Sequence, residues 1–131
     1  MKNKTPEILG IGGIFFKSHN PQKTKEWYEK KLGIKMEPYE AMFAFRNIDY
    51  PHQINYLRWS VFDANTNYMK PSEKDFMINY IVRNLEDFIE NLKKNGVTIV
   101  DEITEYSYGK FVHILDDNGN KIELWKPDNA I

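Results

Sequence analysis

The chain has 131 residues, enough for one domain with its own core. Its 18 Lys+Arg against 19 Asp+Glu give a net charge of -1, which argues against nucleic acid as a partner, because neutralising phosphates needs a basic surplus. Hydrophobic residues at 41% and aromatics at 15% exclude a disordered chain, and zero Cys excludes disulfides, thiolate metal sites and cysteine nucleophiles.

The opening Met1 to Pro6 has a basic start with no apolar run behind it, so no secretory leader is expected. No apolar stretch approaches the ~20 residues a bilayer requires. The expectation is one cytoplasmic domain over 1–131 that meets no membrane.

In chain order, Ile11 to Ser18 (IGGIFFKS) is β-prone and closes on His19-Asn20. Pro21 opens a helical stretch, PQKTKEWYEKKL, that stops at Gly33. Asn20 can accept from the first-turn amides, and Thr24, Trp27, Tyr28 and Leu32 share one face that should be core surface. Strand-like runs follow at Met42 to Phe45 and Asn55 to Phe62. Asp63 to Lys74 is polar and reads as a connector.

The pattern then returns. Phe76 to Val82 (FMINYIV) is strand-like, Asn84 is an N-cap, LEDFIENLKKN is helical, and Gly96 ends it. Glu86 and Asp87 at its start and Lys93 and Lys94 at its end suit the helix dipole, and Leu85, Phe88, Ile89 and Leu92 form its apolar stripe. Strands are expected at Val97 to Val100, Lys110 to Leu115 and Lys121 to Lys126. The chain thus reads as α+β, with βαβββ modules over 8–63 and 76–127. Two such units side by side can curl a mixed sheet around a shared cavity, with both helices outside.

That duplicated pattern resembles the vicinal-oxygen-chelate superfamily, which includes glyoxalase I, bleomycin-resistance proteins and extradiol dioxygenases. WYEKKLGI (Trp27 to Ile34) is similar to the family motif at the end of the first helix. YGKFVHILDDNGNKIELWKP (Tyr108 to Pro127) resembles its terminal hairpin, with Asp117 in place of the common Pro. The resemblance implies a metal-ligand set whose positions fall at Gly13, Met77, near Trp59, and at Glu123. Only Glu123 is chemically able to bind a hard or borderline divalent ion, so no metal or other cofactor is expected, with a divalent metal at a nonstandard site as the alternative.

If Gly13 and Met77 face inward as the family's ligands do, strand parity also turns Phe15, Lys17, Asn79 and Ile81 inward. For Asn55 to Phe62 two parities remain open. Either Arg58 and Ser60 face the cavity and Leu57, Trp59 and Val61 the helices, or the reverse. A five-residue loop, Asp116 to Asn120, sets Phe111 opposite Trp125 and His113 opposite Glu123.

The His113–Glu123 pair reads either as a cross-strand hydrogen bond that satisfies polar groups or as a general acid–base pair. Phe15, Lys17, Arg58, Trp59, Met77, Asn79, Phe111 and Trp125 are the candidate ligand-binding residues. His19 and His52 read as surface loop residues, and the GIGG run Gly10 to Gly13 as close backbone packing, since the Lys-Ser/Thr of a phosphate loop is missing. The reading that follows is a small organic molecule held in an aromatic cavity. The alternative is a lyase- or isomerase-type enzyme using Glu123 with His113. The resemblance further implies a homodimer.

Overall fold

The computed structural model describes residues 4–128, so the basic start at Met1 to Asn3 lies outside the described residues. The elements are β1 (Glu7–Ser18), α1 (Pro21–Leu32), β2 (Ala41–Arg46), β3 (Ile54–Asp63), β4 (Phe76–Arg83), α2 (Leu85–Lys94), β5 (Thr98–Ile99), β6 (Thr104–Tyr106), β7 (Gly109–Leu115) and β8 (Lys121–Lys126). All eight strands join one open, curled sheet in the order β2-β3-β1-β4-β8-β7-β5, with β6 also on β7. The two halves meet where β1 runs antiparallel to β4, and within each half the first strand lies parallel to the last. Among the described residues, the first half carries two strands after its helix where three were expected, because 33–40 forms neither helix nor strand.

The helix punctuation is as the sequence suggests. Asn20 accepts from the Lys23 amide at 3.1 Å, and Asn84 accepts from the Asp87 amide at 3.4 Å. Gly33 ends α1 in the left-handed region at φ 72, where a side chain would be strained. The two helices differ in how they pack. Leu85 and Ile89 of α2 are buried with Val82, Val112, Ile114 and Leu124, and Phe88 and Leu92 pack against that cluster. No residue of α1 is buried, and Trp27 and Leu32 are more than half exposed. The expected core stripe of α1 therefore reduces to the half-buried Thr24, whose hydroxyl lies 2.7 Å from that of Ser18, and Tyr28, whose ring centroid lies 4.7 Å from that of Trp59.

Two adjacent rows of side chains crossing the sheet explain the architecture. Register aligns Met42, Arg58, Gly13, Asn79, Glu123 and His113 strand by strand. One step along, it aligns Ala41, Trp59, Ile14, Ile78, Ile122 and Ile114. Laterally paired residues point to the same side, and successive residues to opposite sides. The second row faces the helices, since Trp59 meets Tyr28 and Ile114 belongs to the cluster under α2. The first row faces the concave side.

Candidate functional site

The β3 parity is therefore settled with Arg58 and Ser60 inward. Trp59, expected among the ligand-binding residues, is corrected to the helix face, where its ring lies 5.2 Å from Phe16 as well as against Tyr28. The hairpin register is as read from the loop length: Phe111 pairs with Trp125 and His113 with Glu123. The rings of Phe111 and Trp125 stack with centroids 5.8 Å apart and planes 8° from parallel.

Two cavities open on the concave side. The larger, about 480 Å³, has Tyr56, Arg58, Ile81, Tyr108 and Trp125 among its walls. The smaller, about 320 Å³, is walled by Phe15, Phe62, Tyr68, Tyr106 and Phe111, with Glu123 among its lining. Arg58 and Tyr108 border both, so the two cavities adjoin and form one cup with these two side chains at their junction. Phe15, Arg58, Phe111 and Trp125 all line these cavities; for Arg58, whose parity the sequence left open, the pairing of β3 with β1 decides it. Met77 and Asn79 are fully buried in the floor: Met77 packs with Phe15 and Met69, and Asn79 lies beneath Gly12. Lys17 sits half-buried near the end of β1 opposite Phe62 and is not among the residues that line either cavity.

Glu123 is the centre of a polar network on this floor. The His113 Nε2 lies 2.8 Å from its Oε2, the Tyr68 hydroxyl donates to the same oxygen, and Asn79 Nδ2 donates to Oε1 at 2.7 Å. The other nitrogen of His113 lies 2.7 Å from Asp101 Oδ2, and the His113 backbone amide donates to Asp101 Oδ1 at 2.8 Å.

Burial pushes the Glu123 carboxyl upward, but the hydrogen bonds from His113, Tyr68 and Asn79 outweigh it and hold it below the usual carboxylate range. Burial, reinforced by the charge of Glu123, raises the Tyr68 phenol far above its ordinary value and keeps it a donor. Burial lowers the Lys121 ammonium, against the opposing pull of Asp101 and Glu123.

Gly12 explains how Asn79 is held. A Cβ on Gly12 would stand 2.6 Å from Asn79 Oδ1 and 2.7 Å from Ile81 Cγ1, so the bare backbone is what allows the Asn79 amide to lie flat under β1. The close-packing reading of the GIGG run is correct, at Gly12 and at Gly13, where a Cβ would meet the Phe15 ring at 2.7 Å. His19 and His52 are exposed in loops, as expected.

Three residues of this floor, two in the polar network and one in the apolar packing beneath it, were not read from the sequence. Tyr68 and Met69 come from the polar 63–74 segment, which was read as a connector only; Met69 is fully buried and Tyr68 reaches Glu123. Asp101 lies in the short turn after β5. No local signal marks any of the three, because each is recruited by a partner distant in sequence.

Residues 14–124 match the Glyoxalase/Bleomycin resistance protein/Dioxygenase superfamily. The chain belongs to this superfamily. Among solved structures of the superfamily fold, a variant of Streptomyces coelicolor methylmalonyl-CoA epimerase in complex with 2-nitronate-propionyl-CoA is similar at a TM-score of 0.68 and 15% identity, over 95% of this chain and 98% of that one. Methylmalonyl-CoA epimerase from Mycobacterium tuberculosis is similar at 0.60 and 16%, over 92% and 89%. A superfamily member from Vibrio splendidus 12B01 is similar at 0.56 and 8%, over 93% and 99%. These likenesses are of fold. No curated protein matches the chain.

The superfamily's metal-dependent members need a set of donors that this cup does not offer. Gly13 brings no side chain, the Met77 thioether is buried under Phe15 and Met69, and the cavity side of β3 presents the Arg58 cation. Three of the roughly four acceptor positions of Glu123 are taken by His113, Tyr68 and Asn79. Among the described residues, no three His, Cys, Asp or Glu side chains gather where an ion could be held. A divalent ion does not fit this donor set.

Proposed function

We propose that this superfamily member binds a small, flat organic molecule in the aromatic cup, without turnover and without a metal centre. One observation carries the reading. Glu123, which alone of the four expected ligand positions holds a hard donor, spends most of its acceptor capacity inside the protein and so anchors the floor of the cup. The walls suit such a guest: Tyr56, Tyr68, Tyr106 and Tyr108 present accessible rings, backed by the buried Phe15, Phe111 and Trp125, with few polar groups to set orientation.

A thermal-shift panel of flat aromatic compounds tests this. A ligand at about 100 times its Kd adds roughly 2.7 kcal/mol of apparent stability. The expected result is a saturable shift with at least one compound that Trp125→Ala removes. A panel without any shift, at concentrations up to solubility, would overturn the proposal.

A second reading, a lyase- or isomerase-type activity, is supported by a separate observation. Tyr68, Glu123, His113 and Asp101 form an unbroken chain of contacts from the smaller cavity to a half-exposed carboxylate, the arrangement through which a proton could be exchanged with solvent. Glu123→Gln separates the two readings: it abolishes turnover in the second and leaves binding of an uncharged guest within a few-fold in the first.

A homodimer is part of the same proposal. Ile11 and Ile14 lie on the outer sheet face yet are 45% and 37% exposed, and Ile8 and Phe76 extend that apolar area. Light scattering on the eluting protein should give twice the chain mass; a monomer at micromolar concentration contradicts it.

Among the described residues, no helix is long and apolar enough to cross a membrane.

A further inference from the structure

We infer that Arg58 and Ser60 form a carboxylate-binding site, occupied in this structure by the protein's own Glu40, and that the guest of the cup is an aromatic carboxylate that takes Glu40's place. The inference rests on the binding reading above and names the chemical class of the guest.

The geometry is that of a carboxylate receptor. Arg58 Nε donates to Glu40 Oε2 at 2.9 Å, Nη2 donates to Oε1 at 3.3 Å, and the Ser60 hydroxyl donates to Oε1 at 2.6 Å. A planar guanidinium fork with a third donor beside it matches both oxygens of one carboxylate. Both donors stand on β3, two residues apart and on the same face, so the strand fixes them without help from Glu40. Glu40 itself comes from 33–40, which has neither helix nor strand, and its side chain is only partly buried. The rigid half of the contact is the receptor, and the half without regular structure is the anion.

The surroundings specify the rest of the guest. The Arg58 guanidinium carbon lies 5.9 Å from the Phe15 ring centre and 6.0 Å from that of Trp125, and both Glu40 and Arg58 line the larger cavity. An acid seated on Arg58 and Ser60 therefore has its ring among aromatic walls. Glu40 takes two of the five N–H donors of the guanidinium. A second carboxylate added beside it would meet like charge at close range, so the guest must displace Glu40.

Calorimetric titration with 2-naphthoate and its uncharged counterpart 2-naphthamide tests the assignment on the full chain. Removing the internal competitor with Glu40→Ala should tighten 2-naphthoate by about tenfold or more, the worth of a charge-assisted hydrogen bond, and leave 2-naphthamide within about threefold. Arg58→Gln should abolish the preference for the acid. Should Glu40→Ala fail to fold, the isosteric Glu40→Gln gives the same comparison. Equal tightening of acid and amide, or no change in either, overturns the carboxylate site and leaves the cup reading standing. If neither compound binds any form, the carboxylate site is overturned, and the thermal-shift panel decides the cup reading.

Discussion

Removing the Glu123 carboxylate is the sharpest perturbation of the floor. Glu123 is 2% exposed and accepts from three groups, of which Asn79 is fully buried and His113 nearly so. In Glu123→Ala, Asn79 Nδ2 and His113 Nε2 lose their acceptor out of reach of water, the Tyr68 hydroxyl loses its own, and a hole replaces the stem. Leaving buried donors without an acceptor costs about 1–3 kcal/mol for each group, so the loss should reach about 3–5 kcal/mol. Glu123→Gln is milder. Its remaining oxygen can serve His113 and Tyr68, and its new amide can be met by a flipped Asn79, whose Oδ1 has no partner at present. That leaves the loss of charge assistance, about 1.5–3 kcal/mol. Urea unfolding at pH 7 reads both values as midpoint shifts at constant slope. An alanine variant that loses less than about 1 kcal/mol, or that is no worse than glutamine, would refute the reasoning that this carboxylate holds the floor together.

Four further outcomes follow from the same geometry. Because Glu123 is held below its ordinary range, its contribution is complete above the unfolded carboxyl value near 4.5 and is lost as pH falls toward the depressed folded value; urea midpoints from pH 7 to pH 3 should fall more steeply for the native chain than for Glu123→Gln. Parallel curves would contradict this. Gly12→Ala forces a Cβ to within 2.6 Å of Asn79 Oδ1 and should cost about 1–3 kcal/mol in urea, with a perturbed Asn79 side-chain amide resonance. Trp59→Ala should cost about 3–5 kcal/mol through lost packing on Tyr28 and Phe16, yet leave guest affinity in the folded protein unchanged. Tyr68→Phe keeps the ring against Phe62 and removes only the donor to Glu123, for about 1 kcal/mol of unfolding free energy.

The parts of the fold legible in the sequence are those fixed by short-range chemistry. The loop Asp116 to Asn120 sets the β7–β8 register, and with it the Phe111–Trp125 stack and the His113–Glu123 contact. Asn20, Asn84, Gly33 and Gly96 bracket the helices because capping is local. On β3, parity could not be read because both faces carry large residues: Leu57, Trp59 and Val61 alternate with Tyr56, Arg58 and Phe62. The parallel pairing with β1 decides it. The α1 stripe looked like core, but a helix face is buried only where the sheet beneath rises to meet it, and there Trp27 and Leu32 stay exposed. Tyr68, Met69 and Asp101 were invisible for a different reason. Their roles depend on Glu123, Phe15 and His113, and no spacing encodes a contact across 55 residues such as Tyr68 to Glu123.

The three tryptophans stand in three different places, which gives a direct test of where a guest binds. Trp125 lines the larger cavity, and its Nε1 donates to the Tyr108 carbonyl at 3.1 Å; Trp59 packs on the helix face; Trp27 is surface-exposed. Following the indole N–H resonances by NMR while titrating 2-naphthoate should move the Trp125 signal saturably and leave Trp59 and Trp27 in place. A saturable shift of Trp59 or Trp27 with Trp125 unmoved would mean that the concave face is not where this protein receives small molecules.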